Sequence, residues 1–249
     1  MVKKVKPAKE SVLIEGLPGI GNVGKVAVDF IVDELKAEKV YEIVSQKLPN
    51  YVFVNEQNMV ELPSIAVYHK KIKNRSIFIV AGDAQPADEA SCHEFCNQIL
   101  KICKKHNCKE IITLGGIGLK VEPKKPKIFC AANDKRVLEK YMKGKNRING
   151  IIGPIIGVSG LLVGLAAQKR IPAVNILAET YGHPNYMGLK GAKELLNILE
   201  NKLKLGLNLK KLNKELNNAL TQEEEHSLDI IDEFDLVEEY EEEDLNYIG

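Results

Sequence analysis

Two runs, SIFIVAG (76–82) and EIITLGG (110–116), carry apolar residues at successive positions rather than at alternate ones. A strand of that kind is covered on both faces, so the chain needs helices above and below its sheet. By the same reading, strands are expected at 12–15, 40–45, 51–54, 64–68, 77–81, 111–114, 128–131 and 173–178. Helical periodicity falls between them. In 23–36, Val23, Ala27, Phe30, Ile31 and Leu35 share one side, and Lys25, Asp29, Asp33 and Lys36 the other. The segment 86–106 opens with Pro86, Asp88 and Glu89 and closes with Lys104, Lys105 and His106, an order that suits the helix dipole. Two more helices are expected at 161–169 and 191–205. Alternating strands and helices imply an α/β fold: a three-layer α/β/α domain around a mostly parallel sheet. The segment 51–69 has no helix between its strand-like runs, so an antiparallel hairpin is expected there and the sheet should be mixed.

Charge divides the chain. From 223 to 249 there are thirteen acidic residues and no Lys or Arg, which leaves 1–222 with 35 basic and 21 acidic residues and a net charge of +14. The division gives a basic extension at 1–10, an α/β/α domain at 11–205, an amphipathic helical extension at 206–222 and an acidic tail at 223–249. A one-signed block of this kind reads as a solvated interaction tail. Only four of the 35 cations are Arg and no stacking or recognition-helix motif is present, so specific nucleic-acid binding is not expected. The uncharged stretch 148–168 is interrupted by Asn149, Pro154, Ser159 and five glycines, and reads as strand, turn and buried helix rather than a membrane span. Five cysteines, an odd number, and an N-terminus without an apolar run argue for a cytoplasmic protein without a disulfide framework.

The segment IEGLPGIGNVGKVA (14–27) places a glycine-rich turn between a strand and a helix. Gly19, Gly21 and Gly24 fit G-x-G-x-x-G, but the next strand does not end in an acid. Gly19 to Lys25 nearly matches a P-loop, yet Val26 replaces the hydroxyl residue that would hold Mg²⁺. The turn therefore reads first as a packing device. An alternative reading is a nucleotide or phosphoester site built from Gly19, Gly21, Asn22, Gly24 and Lys25 with Asp83 and Glu179, two acids that follow apolar strands. Cys92, Cys96, Ile99 and Cys103 lie on one helical stripe, which reads as buried free thiols rather than metal ligands. No metal or cofactor is expected. A Ser159–His183–Asp83 triad can be drawn, but GVSG departs from the nucleophile-elbow spacing, and no catalytic residue is assigned.

The ordered series GLPGIGNVGKVA, ELPSIAVY, IFIVAGDAQP, IITLGGIG, GIIGPIIGVSGLLVGLAAQKRIPAVNILAET and AKELLNILENKL resembles the proteasome assembly chaperone 2 family in its prokaryotic, archaeal branch. The resemblance spans roughly 11–205 and implies a phosphorylase- or hydrolase-like three-layer fold used as a non-enzymatic, homo-oligomeric binding module. It implies proteasome α subunits as partners. In some relatives a C-terminal tail ending in hydrophobic-Tyr-any docks between α subunits. Here the chain ends Asn246-Tyr247-Ile248-Gly249, so the tyrosine stands one place early behind a polar residue. Phe234, Val237, Tyr240 and Tyr247 are the tail residues expected to meet a partner. The family has been grouped with ATP-grasp proteins, but this chain lacks a carboxylate cluster for Mg²⁺, and ATP chemistry is not carried over.

Overall fold

A computed structural model describes residues 5, 9–43, 48–143, 148–150, 153–183 and 186–210. The expected tail contacts at Phe234, Val237, Tyr240 and Tyr247, and nearly all of the extension and tail, lie outside these residues. By its internal contacts the chain divides into Met1–Leu207 and Asn208–Gly249. The strands and helices of the layered domain all lie in the first unit.

The strands are β1 (Glu10–Glu15), β2 (Glu38–Ile43), β3 (Phe53–Val54), β4 (Val60–Glu61), β5 (Ile65–Ile72), β6 (Arg75–Gly82), β7 (Cys108–Leu119), β8 (Ile128–Ala132), β9 (Ile148–Gly150) and β10 (Ala173–Tyr181). The helices are α1 (Val23–Leu35), α2 (Glu89–Lys105), α3 (Lys135–Met142), α4 (Val158–Gln168) and α5 (Leu189–Leu203). Eight strands form one sheet in the order β2-β5-β6-β1-β7-β10-β8-β9. Its centre, β6-β1-β7-β10, is parallel, while β2, β5 and β6 pair antiparallel and β8 runs against β10. The expected hairpin is β3–β4, pairing Phe53 with Glu61 and Val54 with Val60 outside the main sheet.

Alternate residues of β1 serve opposite layers. Leu13 packs with Phe95, Cys96 and Ile99 of α2 and with Val158 and Leu162 of α4, all buried. On the opposite layer α1 packs with α5. Buried Asn175 and Thr113 and half-buried Asn133 pin α4 to the sheet. Asn175 Nδ2 donates to Thr113 Oγ1 (2.8 Å), whose hydroxyl donates to the Ser159 carbonyl (2.9 Å). Asn133 bridges the carbonyls of Val163 and Ile171 and accepts from Ala173 N.

Several elements differ from sequence expectation. The β7 and β10 strands run on to Leu119 and Tyr181, because the glycines after Leu114 stay extended and pair with β10 (Gly115 with Leu177, Gly116 with Ala178). α3 was not expected, although Val137, Leu138, Tyr141 and Met142 recur at helical spacing behind an Asp134 cap; it is short and buries only Val137 and Tyr141, too little to stand on that pattern alone. It is held instead by tertiary contacts, with Tyr141 Oη donating to Glu110 Oε1 (2.6 Å) and Lys140 pairing with Glu110 Oε2 (2.6 Å).

The start of α2 follows from local chemistry. Asp88 accepts from Ser91 N (2.8 Å) and Ser91 Oγ (2.6 Å), so the helix begins at Glu89 rather than at Pro86. Replacing Asp88 by Ala should cost about 1 kcal/mol, read as a lowered urea midpoint with unchanged m-value.

Candidate functional site

The carboxyl ends of the parallel strands gather at one end of the sheet, the usual place for binding groups in open α/β folds. β1 ends at Glu15, paired with Val80 on one side and Thr113 on the other, while β7 continues past it. The turn after β1 lies over that continuation, and the glycines on both sides let main chain meet main chain. A Cβ on Gly24 would stand 2.5 Å from the Leu114 carbonyl oxygen, and a Cβ on Gly116 would collide with the Ile20 carbonyl oxygen. Gly21 has a left-handed φ of 58° and abuts Thr180.

The seven residues of the alternative reading do not converge. Asn22, Lys25 and Asp83 line a cavity of about 360 Å³, together with Ser64, Phe53 and Met187. Lys25 lies 2.8 Å from Asp29 and 3.6 Å from Asp83. Burial works to lower the pKa of its ammonium, but the two carboxylates outweigh it and hold the lysine above its ordinary value. Asp83 Oδ2 in turn accepts from Ser64 Oγ (3.1 Å) and Ser64 N (3.4 Å). Lys25 is thus already paired with carboxylates. Glu179 is elsewhere, its Oε2 accepting from Lys127 N (2.9 Å). Gly19 and Gly24 border a second cavity of about 260 Å³.

The drawn triad is likewise divided. Ser159 lines the second cavity and Asp83 the first, while His183 stacks on Tyr181 with ring centroids 5.8 Å apart. All five cysteines are free, with Cys96 and Cys103 buried on the α2 stripe, and no metal-binding group of His, Cys, Asp or Glu occurs among the described residues. No described helix is long and apolar enough to cross a membrane.

The burial of two polar residues was not foreseen from the sequence. His106 is buried, its Nε2 2.6 Å from Tyr41 Oη and its ring against Phe78. Glu15 is 1% exposed and lines the second cavity. Its Oε1 accepts from Leu17 N (3.0 Å), whereas its Oε2 has no partner among the described residues. Burial pushes this carboxyl up to about 8, against a smaller downward pull from the Leu17 amide. Cys96 on α2 is pushed up to about 12, by burial first and then by Glu15. The available signal was an acid closing the otherwise apolar run VLIE on the same parity as buried Leu13.

A mixed eight-stranded sheet between two helical layers, its strand ends packed closely against the glycine-rich turn, defines a three-layer α/β/α protein. Residues 13–226 match the PAC2 family, and the chain belongs to it. MJ1210 of Methanocaldococcus jannaschii is 29% identical over 216 residues, covering 86% of this chain and 81% of that protein. The structure of Pyrococcus furiosus PbaB, described as an archaeal proteasome activator, superposes with a TM-score of 0.80 at 27% identity, covering 92% of this chain and 97% of PbaB. PbaA of the same organism, described as an archaeal homolog of proteasome-assembly chaperone, shares the fold with a TM-score of 0.69 at 22% identity, covering 94% and 97% of the two chains.

Proposed function

We propose that this protein is a non-enzymatic, chaperone-like binding module that assists assembly of a protein complex, with proteasome α subunits as clients. It acts in the cytoplasm as a homo-oligomer, and the acidic tail 223–249 is a docking element. The observation that carries this reading is membership of the PAC2 family together with the near full-length likeness to PbaB. A second observation supports protein binding. The β3–β4 hairpin leaves Val54, Val60 and Leu62 64%, 68% and 78% exposed beside Phe53 and Met59. Neighbouring exposed apolar side chains of this kind mark interaction surfaces. The tail adds apolar residues within a negative field that steers encounters with a basic surface, and its tether keeps it at high local concentration once the folded body is bound.

Co-sedimentation of the full chain with recombinant archaeal proteasome α subunits tests the assignment. Saturable capture is expected, weakened roughly tenfold or more when 223–249 is deleted. Capture unchanged by the deletion would remove the tail from the mechanism. No capture by the intact chain would overturn the chaperone reading.

A further inference from the structure

Two surfaces of the layered unit are open and complement one another in charge. The first is the β3–β4 hairpin, where every residue from 51 to 62 except Asn55 is exposed. Val54 and Val60 pair across it, with exposed Met59 and Leu62 beside them. Its only charged residues are Glu56 and Glu61. A two-stranded hairpin is marginal in water by itself and gains from a surface that covers its apolar side chains. The second surface is a groove of about 410 Å³ between the β5–β6 turn and the end of α5. Ile72 and Leu203 supply apolar wall, and Lys73, Arg75, Lys202 and Lys204 outnumber its one acid, Glu10. None of these four cations forms an ion pair among the described residues. Arg75 Nη1 donates to the Leu203 carbonyl (3.4 Å), and Lys202 Nζ donates to the carbonyls of Lys140 and Lys143. Those contacts hold the side chains in place without neutralising them.

The two surfaces lie at opposite ends of β6. Arg75 opens that strand and lines the groove, whereas Asp83 follows its last residue and shares the first cavity with Phe53, Glu61 and Leu62. Eight residues of strand separate them by roughly 25 Å, so they do not meet within one molecule. We infer, on the homo-oligomer reading above, that the hairpin of one copy docks in the groove of the next. The apolar side chains of the hairpin meet Ile72 and Leu203, while Glu56 and Glu61 face the cations around them. An apolar centre with charge at its rim is the usual anatomy of a protein interface. Opposite charge also selects this pairing over the symmetric ones. Two hairpins face to face would bring acids together, and two grooves would bring cations together. Each copy then has one hairpin to offer and one groove to fill. The contact is therefore head-to-tail and repeats around a ring or along a filament, according to the rotation between successive copies.

The test is gel filtration of the full chain with light scattering, which reads mass directly. Wild type should run as an oligomer. A hairpin variant carrying Val54→Lys and Val60→Lys should run as a monomer, and so should a groove variant carrying Lys73→Glu and Lys204→Glu. All four side chains are exposed, so both variants should keep the wild-type urea midpoint. Leu62→Lys, at a position 78% exposed, is the second hairpin variant if the first lowers that midpoint. An equimolar mixture of hairpin and groove variants should form a one-to-one dimer and nothing larger, because one intact hairpin meets one intact groove. A mixture that stays monomeric, or a folded hairpin or groove variant that keeps the wild-type mass, would overturn the inference and leave the homo-oligomer reading standing. A wild-type chain that is monomeric at every concentration would overturn both.

Discussion

Glu15→Gln should stabilise the protein progressively as the pH rises from about 5 to about 8, and should change little below that range. The unfolded chain ionises this acid near its ordinary value of 4.5, whereas the folded chain holds the proton up to about 8. The folded state therefore binds the extra proton. The native state's advantage from this group is complete below about pH 4.5 and is lost as the pH rises through about 8. A separation of that size corresponds to on the order of 5 kcal/mol at the upper limit. Glutamine removes the titration while still accepting from Leu17 N. The difference in Tm between variant and wild type should thus be near zero at about pH 4 and reach roughly 5–15 °C at about pH 8. Subtracting the two profiles removes the contributions of other titrating groups. Parallel profiles would mean that Glu15 is hydrated in the folded protein.

Gly24→Ala should destabilise the fold by roughly 2–4 kcal/mol, although alanine is ordinarily the better helix former by about 1 kcal/mol. The added methyl would stand 2.5 Å from the Leu114 carbonyl oxygen and 3.3 Å from the Gly16 Cα, and neither is a side chain that can rotate away. α1 would have to lift from the end of β7. Gly19→Ala is the matched contrast. Its φ of −166° is extended backbone, and the nearest atom to a new Cβ is Gln85 Nε2 at 3.6 Å, so the change should fall within about 0.5 kcal/mol. Urea unfolding of the two variants separates a packing role from a ligand-cradling one. A neutral Gly24→Ala paired with a damaging Gly19→Ala would reverse the assignment of the two glycines.

The layered architecture was legible because it rests on short-range patterning. Runs such as those around Ile77–Ala81 and Ile111–Leu114 are apolar at every position, and a strand of that composition has few alternatives to burial between helices. The periodicity of α1, α2 and α5 was equally local, as was the cysteine stripe on α2. In α3 the pattern is present, with Val137, Leu138, Tyr141 and Met142 at helical spacing, but it spans only eight residues and the helix is held by Glu110, 31 positions away. The ends of β7 and β10 were cut short for a related reason. Glycines after Leu114 look like a stop in a single strand, and only pairing with β10 keeps them extended.

The candidate site divides along the same line. The amino-acid sequence by itself determined that a glycine-rich turn joins a buried strand to a helix, that Asp83 follows a strand, and that the acid-rich end stands apart in charge, whereas Glu179, expected after a strand, lies inside β10. It did not determine that Lys25 is drawn to Asp29 and Asp83, that Glu179 serves the segment before β8, or that Glu15 is sealed from water with one oxygen unpaired. Those outcomes depend on which strands become neighbours. A side chain's charge is a property of its own covalent structure, but its desolvation and its partners are set by residues brought beside it from distant parts of the chain, so they exist only once the sheet has closed.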